Sequence, residues 1–308
     1  MSDVDESELP RSIALAWGVA TNPQRGPKRE LSIERIVESA IDIADEKGLG
    51  AVSMAAIASS LGFTPMSLYR YVSAKDDLIV LMQDHAVGVP PETVAEEARA
   101  HGWRAGMAEW AAGNVDVYRR HPWVLDVPVT GSTSTPNSAA WLDAALEVLA
   151  ELPVSEVEKV SMVLVVMGQT RWQGLVERSY AEAADAIGAD ADRIDSDQEA
   201  LMRRLITPEG FPSVARALAA GAFAPGGGDP FEFGIERVLD GIEGYVAARA
   251  AGAPAAEPAQ FDDDDALRRD PKVKEAVKAR REAEKQLREA RKRERERMRE
   301  ARERMRRS

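Results

Sequence analysis

Ser-Met-Ala-Ala-Ile-Ala-Ser-Ser-Leu-Gly-Phe-Thr-Pro-Met-Ser-Leu-Tyr-Arg-Tyr-Val-Ser-Ala-Lys, residues 53 to 75, spells two short helices around a glycine turn. Ser53 is a side-chain cap for the first helix, and Met54, Ile57, Ala58 and Leu61 recur at helical spacing, so that helix has one buried face. Gly62 ends it, because the tight turn that follows requires a left-handed backbone. Thr64 and Pro65 open the second helix, where proline's missing N–H costs nothing. Small Ala58 lets the two helices cross closely, while Leu68 and Val72 pin the second from beneath. Met66, Ser67, Tyr69, Arg70 and Tyr71 are left on the exposed part of a helix short enough to enter a DNA major groove.

Upstream, Leu31, Ile33, Ile36, Val37, Ala40, Ile41 and Ala44 mark a helix closed by Gly48 and Gly50. Downstream, Ser73 is expected to open a further helix through Lys75, Leu78, Ile79, Leu81 and Met82, ending near Gly88 before Pro90 and Pro91. Leu31 to Ala40, Ala44 to Leu49, Ser67 to Val72, Lys75 and Leu78, taken in this order, resemble the tetracycline-repressor family of transcriptional regulators. The resemblance is strong over residues 29 to 88 and weaker to about residue 250. It implies that Tyr69, Tyr71 and Lys75 anchor phosphates. The residue chemistry gives Arg70 a fork for guanine or phosphate, Ser53, Thr64 and Ser67 hydroxyls for phosphates or base edges, and Pro65 and Met66 apolar contact with a thymine methyl. Ala55 departs from the pattern, standing where many relatives carry arginine.

The 308 residues carry a formal charge of -12, which at first sight does not suit a DNA-binding protein. The charge is segregated. Ala266 to Ser308 hold 19 Lys and Arg against 9 Asp and Glu, leaving 21 against 43 in residues 1–265. No acid falls between Pro10 and Arg29, where Arg11, Arg25, Lys28 and Arg29 form a candidate phosphate or minor-groove arm. The absence of cysteine excludes disulfides, thiolate metal sites and cysteine nucleophiles. Acids near the N-terminus are unlike a secretory signal, and the densest apolar run, Met162 to Val166, is too short to span a bilayer. A cytoplasmic protein without membrane association is expected. Three scattered histidines and the lack of a glycine-rich phosphate loop leave no catalytic constellation, so neither enzyme activity, a cofactor nor a metal is expected.

Beyond Pro91, Trp103, Met107, Trp110, Val117 and Tyr118 form an amphipathic stripe that stops at His121 and Pro122. Residues 127–137 read as a loop, and Trp141 to Leu152 as a helix. From Ser155 to Tyr180 a helix is expected to be buried all round, because Met162 to Met167 are apolar on every side. Residues 181–200 show no clear stripe. Asp229-Pro230 starts a last apolar helix through Phe231, Ile235, Val238, Leu239, Ile242 and Val246. A proline- and alanine-rich linker follows Gly252, and the tail beyond it reads as a solvated charged helix or disorder, with DNA or RNA contact and partner binding as the functional alternatives.

Trp103, Trp110, Tyr118, His121, Trp123, Met162, Met167, Arg171 and Trp172 are either core or the lining of a ligand cavity. The family resemblance implies such a cavity, and it implies that the two apolar helices pair across a twofold axis through Val163, Val166, Ile235, Leu239 and Ile242. The expected fold is all-α: a flexible arm at 1–28, a three-helix helix-turn-helix domain at 29–88, a larger ligand and dimerisation domain at 89–252, and a linker and charged basic tail at 253–308. The expected function is that of a homodimeric repressor on a near-palindromic operator, released by a small, mostly apolar effector. The alternatives are an activator or architectural factor using the tail, and a small-molecule-binding protein or enzyme with a vestigial head.

Overall fold

The computed structural model describes residues 9–19, 31–128, 135–188, 191–224, 229–255 and 270–307. Every regular element among them is helical. The chain divides into two units, Met1–Ala253 and Pro254–Ser308.

Within the first unit, α1 (Arg11–Ala16) precedes α2 (Ile33–Lys47), α3 (Met54–Leu61), α4 (Pro65–Leu68) and α5 (Lys75–Val87). Ser32 caps α2 by accepting from the Arg35 amide at 3.3 Å. Ile36, Ala40, Ile57, Leu68, Val72, Leu78 and Met82 are fully buried and form the head core. Residues 11–16, assigned above to a flexible arm, are helical instead. They bury Ser12 and Ala14, because α1 packs its small residues against α5. The second hairpin helix has only four α-helical residues, with Tyr69 to Tyr71 continuing as turn. The N-cap of α5 is Ala74 rather than Ser73, whose hydroxyl donates to Asp77 at 2.8 Å.

The larger part comprises α6 (Thr93–His101), α7 (Trp103–Arg120), α8 (Pro136–Val148), α9 (Glu156–Ile187), α10 (Ala191–Leu205), α11 (Pro212–Ala219) and α12 (Pro230–Ala250). Its core gathers Met107, Trp110, Trp141, Leu149, Val163, Val166 and Leu239. Trp110 meets Trp141 edge-on, with centroids 5.9 Å apart, and donates to the Trp141 carbonyl at 2.9 Å. Ser155 and Glu158 form a reciprocal capping box at the start of α9, and Asp229 caps α12. Helix α9 runs beyond Tyr180 to Ile187, and α10 spans Ala191–Leu205, so residues 181–187 and 191–200 of the acidic stretch are helical.

Helix α9 is not buried all round. Val163 and Val166 are fully buried, whereas Leu164 and Val165 are 59% and 55% exposed. A helix touches its neighbours on one side only, and α7, α8 and α12 occupy that side here. Among the described residues the second unit has the helix Pro271–Arg307, near whose start the Lys272 and Val273 amides donate to Asp270.

Candidate nucleic-acid interface

The reading head is positioned by the caps that its sequence encodes. Ser53 accepts from the Ala56 amide at 3.1 Å, and Gly62 adopts φ 76°, which lets the Phe63 amide return to the Ala58 carbonyl at 2.8 Å. Leu68 and Val72, both fully buried, hold the following segment down. Its outer side carries Met66, 73% exposed, with Tyr69, Arg70 and Lys75 also exposed. Pro65 occupies the first helical position, and the Thr64 and Ser67 hydroxyls bond each other at 2.9 Å. Thr64 therefore gives no side-chain cap to the backbone. Ser67 is half-buried, and Tyr71 is half-buried against the head core rather than fully outward. Among the described residues no ion pair involves Arg70 or Lys75. Arg29, with Arg25 and Lys28 of the candidate arm, lies outside the described residues.

The head is joined to the larger part through a short 3-10 turn, Pro122–Asp126, which the sequence did not signal. Trp123 and Val124 of this turn belong to the head core together with Ile36 and Met82. The Trp123 indole N–H donates to Asp45 Oδ1 at 2.7 Å, and His121 Nδ1 lies 2.9 Å from the same oxygen. From α9, Arg171 donates to the Leu125 carbonyl at 2.6 Å, and Arg178 donates to Asp126 at 2.8 Å and the Pro122 carbonyl at 3.1 Å. Arg119 forks onto Glu177 with two 2.8 Å bonds, which hold the Glu177 carboxyl below its ordinary range. Burial pushes the Tyr118 hydroxyl up. On the other side, the Asn137 amide donates to Asp84 of α5 at 2.9 Å, and the Trp141 indole donates to the Gly88 carbonyl at 3.0 Å.

The nine candidate ligand residues do not surround one cavity. Trp103, Trp110, Met162 and Met167 belong to the larger core, and Trp123 belongs to the head core with Tyr118 packed against it. Arg171 and His121 are engaged in the junction. Trp172 is 59% exposed on the outer side of α9, which corrects its assignment to a pocket. The dimer assignments need a similar correction. Val163, Val166 and Leu239 are fully buried and Ile242 nearly so, all within a single chain, because they face α7 and each other across α9 and α12. Ile235 is half-buried beside a cleft of about 290 Å³ between α7, α9 and α12.

A larger cleft, about 630 Å³, lies between the end of α2, the 3-10 turn and α9. Tyr118, Pro122 and Trp123 give it an apolar wall, and six carboxylates, from Asp45, Glu46, Asp126, Glu177, Glu182 and Asp185, outnumber the guanidiniums of Arg119 and Arg178.

Residues 36–82 match the family described as bacterial regulatory proteins, tetR family, and residues 97–246 match the tetracyclin repressor-like C-terminal domain. The HTH-type transcriptional repressor DrrR1 of Streptomyces coeruleorubidus is 33% identical over 242 residues, covering 79% of this chain and 88% of the relative. A possible TetR family transcriptional regulator from Streptomyces coelicolor A3(2) is similar in structure, with TM-score 0.51 and 25% identity over 70% of this chain and all of that one. ActR of Streptomyces coelicolor, in complex with actinorhodin, has TM-score 0.57 at 20% identity, over 74% of this chain and 99% of that one, and shares the fold.

Proposed function

We propose, from the fact that this chain belongs to the tetR family of bacterial regulatory proteins, that it works as a homodimeric, effector-released repressor. The observation that carries the reading is the outward set Met66, Tyr69, Arg70 and Lys75 on a segment clamped from below by Leu68 and Val72. A rigid scaffold with free donors and an apolar tip is what base-edge and phosphate contact requires.

Dimerisation is supported by the outer side of α9, where Val157, Leu164, Val165 and Trp172 are 77%, 59%, 55% and 59% exposed and share one face by helical register. Phe233 of α12 is 64% exposed, and an added Cβ at Gly168 or Gly241 would meet nothing within 4 Å. A second copy laid against these two helices buries the stripe and presents two heads. Half-sites about 34–36 Å apart then follow from the geometry of consecutive major grooves.

Effector release is assigned to the 630 Å³ cleft, whose walls come from both α2 and α9. A ligand wedged there stabilises one head orientation over another. Its apolar wall suits a hydrophobic ligand body, and its carboxylate excess favours a positively charged group on it. Coupling of ~1–3 kcal/mol weakens operator binding five- to 150-fold, and the operator weakens effector binding equally.

Selection from a random duplex pool, followed by mobility shift at moderate salt, tests the repressor reading. An enriched inverted repeat is expected. Retention of all duplexes alike, with no repeat enriched, overturns it.

A further inference from the structure

The continuous helix Pro271–Arg307 gives meaning to a spacing in its sequence. Arg281, Arg288, Arg295 and Arg302 recur every seven residues, and Lys285, Lys292, Arg299 and Arg306 stand four residues after each. In an α-helix, alternating steps of four and three keep these eight positions in one stripe, which is about 38 Å long at 1.5 Å per residue. Each first-group arginine is followed directly by Glu282, Glu289, Glu296 or Glu303, which lie in a neighbouring stripe. No acid stands three or four residues from Arg295 or Arg302.

Around Arg295 and Arg302 this order is unfavourable for a helix that is merely solvated, whereas each of the other six stripe cations has a glutamate three or four residues away. Like charges three and four residues apart repel, and the eight acids of the helix would relieve the repulsion better if interleaved within the stripe. An extended anion laid along the stripe relieves it instead. Duplex DNA offers one phosphate per about 1.7 Å of axis, more than about 20 along this length. A bilayer surface fits less well, because the helix has no aromatic residue and only Val273, Val277, Leu287, Met298 and Met305 are apolar residues larger than alanine, apart from its first proline.

We propose that the tail helix is a second nucleic-acid-binding element, which grips the phosphate backbone of duplex DNA through the stripe from Arg281 to Arg306 without reading sequence. The choice of DNA as the anion rests on the function proposed for the head.

The test uses the full chain on a random-sequence duplex of about 30 base pairs, with the slope of log affinity against log salt as readout. Substituting Arg281, Arg288, Arg295 and Arg302 each by Gln removes four stripe cations with little change in helix propensity. A charge-matched control substitutes Arg280, Arg293, Arg297 and Arg304, which lie off the stripe, by Gln. The stripe variant is expected to flatten the slope by about 3 to 4, and the control by no more than about 1. Circular dichroism checks that both variants keep the helix. Equal flattening in both sets, no flattening in either, or a loss confined to single-stranded RNA of the same length overturns the proposal. Operator selection by the head is measured separately in the same variants. Loss of the tail effect with selection intact sinks only the tail, whereas a tail effect without any selected repeat sinks the head's reading.

Discussion

Trp123 donates its indole N–H to Asp45 across 78 residues of chain, so the core of the DNA-reading head is closed by a side chain from outside it. The head cannot turn freely under such a latch. A change in the 3-10 turn is therefore expected to reach α2 and, through the shared core, the reading segment. Replacing Asp45 by Ala strands the buried indole donor and is expected to cost ~1–3 kcal/mol of stability. If the proposed effector acts through this junction, the substitution is also expected to reduce its influence on operator affinity. Denaturant midpoints and operator titrations with and without effector measure the two effects, and an unchanged coupling would place transmission elsewhere.

Arg70 and Lys75 are both exposed, with different expected tasks. Arg70→Ala should cost ~1–3 kcal/mol at particular base pairs and relax selection there. Lys75→Ala should weaken every duplex alike and flatten the salt slope by about 1. Competition titrations with single-base operator variants separate the two behaviours.

Neighbouring residues on α9 should behave oppositely. Leu164→Glu places a charge on the exposed stripe and is expected to yield folded monomers. Val163→Ala opens space in the core and should lower stability by about 1–3 kcal/mol without changing the oligomer. Sedimentation velocity and thermal unfolding of both variants make the comparison. Dissociation by Val163→Ala with unchanged unfolding would reverse the assignment of faces.

Glu158 accepts from the Ser155 hydroxyl at 2.6 Å, from Tyr245 and from the Ser155 amide at 2.7 Å, and Arg249 Nε lies 3.0 Å away. Led by the Ser155 hydroxyl, these bonds lower its carboxyl from 4.5 to about 2. Its contribution to stability is therefore complete above pH 4.5 and is lost as pH falls toward 2. The stability gap between the wild type and Glu158→Gln should shrink over that interval, as followed by urea midpoints. A constant gap would show that the carboxylate's charge contributes nothing to the α9–α12 contact.

The family matches at residues 36–82 and 97–246 span the regions where punctuation and apolar periodicity were legible. Ser53, Gly62 and Pro65 act within four residues of themselves, and the hairpin they predict is the hairpin observed. Ser155 and Asp229 likewise cap the two longest helices of the larger part. Ser73 misled because its hydroxyl bonds Asp77's carboxylate rather than a backbone amide. Of the cavity candidates, Tyr118 and Trp123 line the larger cleft, whereas Trp103, Trp110, Met162 and Met167 belong to the core, because tryptophan and methionine fill cores as readily as pockets and composition does not distinguish the two.

From its sequence alone, this chain set where its main helices begin and turn, because caps, glycine turns and proline starts are local chemistry. The tertiary structure alone decided which side of α9 faces its own chain. Val163 and Leu164 are adjacent, apolar and close in size, and only the positions of α7 and α12 bury one and expose the other. The same holds for Trp123, whose place in the head core depends on Asp45 and α2 being folded against it. Periodicity records that a residue avoids water, whereas the neighbour that shields it is chosen by packing between distant segments.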